Sequence, residues 1–391
     1  MSVKAKIMTI FGTRPEAIKM ATVVRELKNT EEIEPLVVVT AQHREMLDQV
    51  LSLFSIKPDY DLDIMQKEQT LADITCRVLQ GLQDIYEKEN PDMILVHGDT
   101  STTFVGALAS FYNHIKVGHV EAGLRTYNKY SPFPEEMNRH LTGVLADLHF
   151  APTEKAARNL KNENILEDKI FITGNTVIDA LLKTVDENYQ FKLDELKKIN
   201  FADKKVILLT AHRRENLGKP MQNIFAAVRQ LIKEDKDLEV IFPVHLNPKV
   251  RRLADSFLKD IERIHLIEPL DYKPFANLMS SVDLVLTDSG GIQEEAPALG
   301  KPVLVLRDTT ERPEAVKAGT VKKVGTDREK IYNLTKTLLN NDQEYNKMAQ
   351  AVNPYGDGKA SQRIKNRLLA EFEILDEAGD EFRPDNKGGD R

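Results

Sequence analysis

The chain has 391 residues, 41% hydrophobic and 29% charged, with a formal net charge of −7. That length predicts two or three domains with separate cores, in a composition ordinary for a globular protein. Dispersed Lys and Arg exclude the basic stripe of a nucleic-acid binder, and no apolar run approaches the ~20 residues of a membrane span.

The single cysteine, Cys76, allows neither an intrachain disulfide nor a zinc cluster. In the helical stretch LADITCRVLQGL it reads as a small buried residue. The apolar stretch of MSVKAKIMTIFGTRPE is too short for a signal peptide, so a reducing, cytoplasmic setting is expected.

Along the chain, short apolar runs alternate with helical patterns. The first series of strands is KIMTIF (6–11), PLVVVT (35–40), DMILVHG (92–98), IKVGHVE (115–121), LHFAP (148–152) and KIFITG (169–174). Between them lie helices such as PEAIKMATVVRELK and TLADITCRVLQGLQDIYEKE. Near-continuous apolar strands separated by helices predict a parallel sheet covered on both faces. A charged stretch, 183–205, interrupts the pattern. A second series follows: VILLTAH (206–212), LEVIFPVH (238–245), RIHLIEP (263–269), VDLVLTD (282–288), KPVLVL (301–306) and GTVKKVG (319–325). The expected division is an N-terminal Rossmann-like domain over 1–175 and a C-terminal, nucleotide-binding one over 176–357. A helix at about 358–375 packs back on the first domain, and 376–391 form a polar tail.

Open parallel sheets bind ligands beyond the carboxyl ends of their strands. Those places carry charged and small residues. In LTDSGGIQEEAPALG, Ser289, Gly290 and Gly291 open a helix, where backbone N–H groups and the dipole favour a phosphate. Glu294 and Glu295, one turn on, suit ribose hydroxyls. An ordinary tight turn with solvated glutamates is the plainer alternative. In FGTRPEAIKM, Gly12 permits a tight turn, Pro15 suits the first helical position, and Arg14 and Lys19 supply positive charge. Arg312 in ERPEA is a third candidate cation. The strand-end turns hold no G-x-G-x-x-G, and the chain holds no Walker loop. A diphosphate without a nicotinamide suggests a nucleotide sugar.

Candidate acids and bases are Asp99, Glu121, Glu135 and His212. Asp99 also reads as the N-cap of the helix STTFVGALASF. Glu135 and Glu136 also read as helix-start acids complementing the dipole. His212 gains weight from Arg213 and Arg214 beside it. Metal chemistry finds little support: there is no H-E-x-x-H, and the D-x-D in DYDLD (59–63) lies between helices.

These segments resemble the non-hydrolysing UDP-N-acetylglucosamine 2-epimerases. FGTRPEAIKM, VHGDTSTT, HVEAGLRT, SPFPEEMNRHLTG, TGNTVIDAL, TAHRRENLG, PVHLNP, LTDSGGIQEEAP and LRDTTERPEA occur in the family's order, from residue 10 to about 325. The resemblance implies an α/β fold of two Rossmann-like domains in the GT-B arrangement, with the active site in the inter-domain cleft. It implies interconversion of UDP-GlcNAc and UDP-ManNAc without metal or nicotinamide, supplying ManNAc for surface polymers such as capsules and teichoic-acid linkage units. Asp99, Glu121, Glu135 and His212 carry over for the chemistry. Arg14, Lys19, Arg139, Ser289, Gly291, Glu295 and Arg312 carry over for substrate binding. A homodimer is implied, as is activation by UDP-GlcNAc at Gln42, Glu135, Arg213 and His245. At Glu45 and Glu68 the sequence departs from the Gln and Arg of relatives. A GT-B glycosyltransferase, a hydrolysing relative and a non-catalytic nucleotide-sugar sensor are the rival readings.

Overall fold

The apolar runs that end on small or charged residues form the strands of two parallel sheets. The computed structural model describes residues 4–41, 44–66 and 68–384. One compact unit holds the chain up to Ala180 and resumes at Tyr355; the other runs Leu181–Pro354.

The first unit contains β1 (Ala5–Phe11), β2 (Ile33–Val39), β3 (Tyr60–Asp61), β4 (Met93–His97), β5 (Lys116–Val120), β6 (Leu148–Ala151) and β7 (Ile170–Ile172). Its sheet runs β3-β2-β1-β4-β5-β6-β7, every neighbour parallel. The second contains β8 (Lys205–Thr210), β9 (Leu238–Pro243), β10 (Ile264–Ile267), β11 (Leu284–Thr287), β12 (Val303–Val305) and β13 (Val321–Lys323). Its order is β10-β9-β8-β11-β12-β13, again all parallel.

Central strands are buried end to end, as in β4, because helices cover both faces of a parallel sheet. In each unit the winding reverses direction once, between β1 and β4 and between β8 and β11. The crevice beyond the carboxyl ends at such a reversal is where open α/β sheets take ligands.

Three local readings change. The two-residue β3 lies in DYDLD at the sheet edge, and Arg44 pairs with its Asp61; it is too short to show a strand pattern in sequence. Cys76 is exposed, not buried. The helix Leu71–Glu89 buries Ile74, Val78, Leu82 and Ile85, a spacing of three and four residues that turns position 76 away from the core. Asp99 is not a cap: Thr100 caps the helix Ser101–Tyr112, its Oγ1 accepting from Thr103 N–H at 3.1 Å.

The helix Ala360–Glu371 packs on the helix Arg14–Lys28, joined by a 2.7 Å hydrogen bond between Ser361 and Thr22. Beyond it, the Glu381 carboxylate accepts from Ile172 N–H at 2.9 Å, and Phe382 N–H donates to Ile172 C=O at 2.7 Å. Phe382 is buried. This part of the polar C-terminal segment therefore satisfies the edge strand β7.

Candidate active site

The turn after β1 is held by a buried carboxylate. Glu16 accepts from Gly12 N–H at 3.1 Å and Thr13 N–H at 2.8 Å. It also accepts from Thr100 Oγ1 at 2.7 Å and Thr103 Oγ1 at 3.2 Å. Four donors offset its desolvation, and the turns after β1 and β4 become one rigid rim. Gly12 is needed for space, since a Cβ there would fall 2.0 Å from Thr40 Oγ1. Pro15 is the second residue of its helix, still in the turn whose N–H groups lack intrahelical partners. Arg14 is half-buried and makes no ion pair among the described residues.

Glu121 follows β5 directly with φ 62°, a left-handed conformation rare outside glycine. Its side chain is 10% exposed, paired with the Lys19 ammonium and 3.2 Å from His97 Nε2. Burial alone pushes the Glu121 pKa up. The Lys19 and His97 charges outweigh that and hold it well below the ordinary carboxylate range. Glu121 is therefore an ionised carboxylate at a strand tip.

Asp99 meets Arg139, with Nε at 2.9 Å and Nη2 at 2.6 Å, both on Oδ2. Arg139 Nη1 also reaches Glu136 at 3.0 Å. Glu136 is buried and accepts from Thr126 N–H at 3.0 Å and Tyr127 N–H at 2.8 Å. It thus fixes the loop before its own helix, Glu135–Leu145. Its neighbour Glu135 is half-buried and unpaired among the described residues. A further layer was not read from sequence. Arg125, its side chain fully buried, grips Glu163 with two 2.7 Å hydrogen bonds, and His140 stands 3.4 Å from both Glu136 and Glu163.

In the second unit the reversal point gathers another set. Asp288 directly follows β11 and is wholly buried. Its Oδ2 accepts from His212 N–H at 2.9 Å, Arg213 N–H at 2.9 Å and Asn216 Nδ2 at 3.0 Å. His212 stacks on His245, ring centres 5.1 Å apart and planes 9° from parallel. Burial lowers the His212 pKa, Asp288 opposes this, and His245 and Arg213 add to the lowering. Arg213 points toward the next turn: a Cβ on Gly290 would lie 3.9 Å from its Nη2.

After Asp288 come Ser289, whose C=O accepts from Gln293 at 3.0 Å, then Gly290 and Gly291. The N–H groups of both glycines donate to no group among the described residues. The helix that follows, Ile292–Ala298, is only two turns and contains Pro297, so those N–H groups matter more than any dipole. Glu295 lies against Gly291, its Oε1 3.4 Å from where a Cβ would stand. Glu294 pairs with Arg312, which removes both from the simple reading of one ribose acceptor and one free cation.

Gln42 lies outside the described residues; Glu68 is exposed. No group of three or more His, Cys, Asp or Glu among the described residues could hold a metal ion. No described helix is long and apolar enough to cross a membrane.

The family model for UDP-N-acetylglucosamine 2-epimerase matches residues 25–369. The UDP-N-acetylglucosamine 2-epimerase of Bacillus subtilis is 59% identical over 380 residues, 97% of this chain and 99% of its own. The chain belongs to the UDP-N-acetylglucosamine 2-epimerase family. A crystal structure of a UDP-N-acetylglucosamine 2-epimerase superposes with a TM-score of 0.91 at 56% identity, covering 97% of this chain and all of that one. The Neisseria meningitidis UDP-GlcNAc 2-epimerase, crystallised bound to UDP-GlcNAc, gives 0.82 at 53% identity over 93% of this chain and 100% of its own. The fold class is thus the GT-B type expected from sequence, and the activity class is that of an epimerase, an isomerase.

Proposed function

We propose that this UDP-GlcNAc 2-epimerase interconverts UDP-GlcNAc and UDP-ManNAc by elimination and readdition of UDP. The C2–H bond has no adjacent carbonyl to acidify it. As the C1–O bond to UDP breaks, oxocarbenium character at C1 makes the C2 proton removable. A base takes that proton, and 2-acetamidoglucal and UDP result. Protonation of C2 from the opposite face, with UDP returning to C1, gives the epimer. No net proton, electron or water is consumed.

The observation that carries this reading is Glu121: a buried, ionised carboxylate fixed at a strand tip between Lys19 and His97. Asp99 and Glu135 offer carboxyl oxygens for the other face, and each positioned acid or base contributes roughly 10²–10⁴-fold. The unpaired N–H groups of Gly290 and Gly291, with the Arg213 guanidinium alongside, suit the departing diphosphate. The Neisseria relative's bound UDP-GlcNAc supports the same substrate here.

Incubation with UDP-GlcNAc alone, followed by NMR, tests the proposal. The expected product is UDP-ManNAc carrying deuterium at C2 when the solvent is D₂O. Free ManNAc with UDP points to a hydrolysing enzyme, turnover only with an added acceptor to a glycosyltransferase, and binding without turnover to a sensor.

In this reading the enzyme is cytoplasmic, supplies ManNAc for surface polysaccharide and is activated by UDP-GlcNAc through Arg213 and His245. Initial rates on pure UDP-ManNAc with graded UDP-GlcNAc check the activation. The homodimer is supported by an apolar stripe. On the helix Glu135–Leu145, Met137, Leu141 and Val144 are 36%, 40% and 80% exposed. They lie on the helix that packs beside the one ending in exposed Phe111 and Tyr112. Light scattering should give twice the chain mass, and Val144→Glu should lower it.

A further inference from the structure

Asp288 is wholly buried, yet its two oxygens are treated unequally. Oδ2 takes three hydrogen bonds, from His212 N–H, Arg213 N–H and Asn216 Nδ2. Oδ1 takes none with good geometry and faces His212 Nδ1 at 3.3 Å. A buried carboxylate oxygen without a donor is left desolvated and uncompensated. A proton on His212 Nδ1 supplies that donor, and no other donor is in place among the described residues.

The neighbouring ring shows the opposite arrangement. His245 Nδ1 accepts from Asn247 N–H at 3.0 Å, so in its neutral form His245 carries its proton on Nε2. Stacked 5.1 Å apart and nearly parallel, the two rings are held by different partners through their Nδ1 atoms. The groups acting on His212 are Asp288, His245 and Arg213. Burial and the latter two disfavour its charged form; only Asp288 favours it. The ring is therefore neutral near neutral pH, and which nitrogen bears the proton is decided by the group facing Nδ1.

We infer that Asp288 is a positioning residue that fixes His212 as the Nδ1–H tautomer and presents the Nε2 lone pair to the bound nucleotide sugar. This rests on the reading of His212 as a group of the active site. The aspartate also makes protonation of Nε2 less costly, because the imidazolium then lies against a carboxylate. Its backbone acceptor role, through Oδ2, holds the ring's own main chain in place. One side chain thus sets both where the imidazole stands and which way it is protonated.

The test is the nitrogen NMR of isotope-labelled histidine in the full-length protein, with the His212 signals assigned by their loss in His212→Gln. In the parent at neutral pH, Nδ1 should give a pyrrole-type shift and Nε2 a pyridine-type shift. The reverse pattern in the parent overturns the inference, and needs no variant to fold. Asp288→Asn keeps an oxygen for the three donors at Oδ2 but turns an amide N–H₂ toward Nδ1. It should invert the tautomer and lower kcat at least ~10²-fold with KM within a few-fold, as expected when a histidine is locked in the wrong tautomer. Asn216→Ala removes a donor from the same carboxylate without touching the Nδ1 side, and should leave the tautomer as in the parent. A folded Asp288→Asn protein with an unchanged tautomer, or an inverted tautomer in Asn216→Ala, also overturns the inference. An inverted tautomer in Asp288→Asn with kcat unchanged leaves the tautomer lock standing and removes His212 from the chemistry.

Discussion

Arg139 holds Asp99 by a single oxygen. Its Nε and Nη2 both lie on Oδ2, at 2.9 and 2.6 Å, and Oδ1 has no hydrogen-bond partner among the described residues. The same guanidinium rests on Glu136, which is fixed in turn by the main chain of the loop before its helix. Asp99 is thus oriented from a helix rather than from its own strand end, with one oxygen left for a ligand.

Arg139→Met should therefore act twice. Glu136, 1% exposed, loses a counter-charge in a buried setting, and breaking such a pair costs about 3 kcal/mol. Asp99 loses its orientation, and kcat should fall at least ~10²-fold. Denaturant titration and steady-state kinetics measure the two effects. Unchanged stability together with unchanged kcat would show that the pair neither supports the fold nor places Asp99.

Glu121→Gln keeps the shape of the side chain and removes its charge. We expect kcat to drop by ~10² or more, with UDP-GlcNAc binding within a few-fold. Since Lys19 and His97 overcome burial and hold the Glu121 pKa well below its ordinary value near 4.5, Glu121 stays ionised throughout the neutral and mildly acid range. Its contribution to stability is present above the unfolded-state pKa and lost as pH falls through the lowered folded one. An acid limb of kcat between pH 5 and 7 must then come from another group, and that limb should survive in any residual activity of Glu121→Gln. A limb that disappears with the carboxylate contradicts the assignment.

Acid should loosen the fold through two other groups. Burial, as the leading cause, pushes His119 down to about 3 and His149 to about 4. They are adjacent on β5 and β6, and both are buried. Each has its folded pKa below the unfolded value of about 6.5, so below pH 6.5 the unfolded chain binds protons the folded one refuses. Stability is fully present above that pH and declines as pH falls, reaching a slope of about 2.7 kcal/mol per unit for two protons. Urea midpoints between pH 7 and 5 measure it, above most carboxylate titration. His149→Gln should remove about half the slope, and a pH-independent midpoint in the parent excludes the effect.

Twelve of the thirteen strands among the described residues were legible because a parallel strand buried on both faces leaves a continuous apolar run. Where such runs ended told which residues stand at the rims. The partnerships among those residues were not legible. Arg125 and Glu163 are 38 positions apart, and Asp99 and Arg139 are 40 apart; no local pattern encodes either pairing. Glu16 did carry a signal, since Thr13 and Glu16 have the T-x-x-E spacing of a capping box. His97 had one too, one residue before the Gly-Asp turn. At Cys76 the usual burial of a free cysteine points inward, but the helical spacing of Ile74, Val78 and Leu82 places it outward, and the spacing wins. The left-handed turn at Glu121 had no sequence mark at all, because glycine or asparagine usually occupies such a position.

The phosphate site gives the last prediction. Gly291 has φ −63°, so no left-handed backbone demands glycine there, and a side chain would add no strain. A Cβ would come within 3.4 Å of Glu295 Oε1, close enough to displace that flexible side chain by a few tenths of an ångström. Glycine at this position therefore needs another reason, and the unpaired N–H groups of Gly290 and Gly291 supply one: a diphosphate must approach the bare backbone. Gly291→Val should leave the unfolding free energy within ~0.5 kcal/mol of the parent, as for a surface change that breaks no packing. It should weaken UDP at least ~10-fold by calorimetry, the loss expected when charge-assisted hydrogen bonds to an anion are obstructed. Gly291→Ala should fall between the two, since its single methyl blocks less of the approach. If UDP binds Gly291→Val as tightly as the parent, the diphosphate does not lie on this turn, and the nucleotide must be sought at another strand end of the second unit.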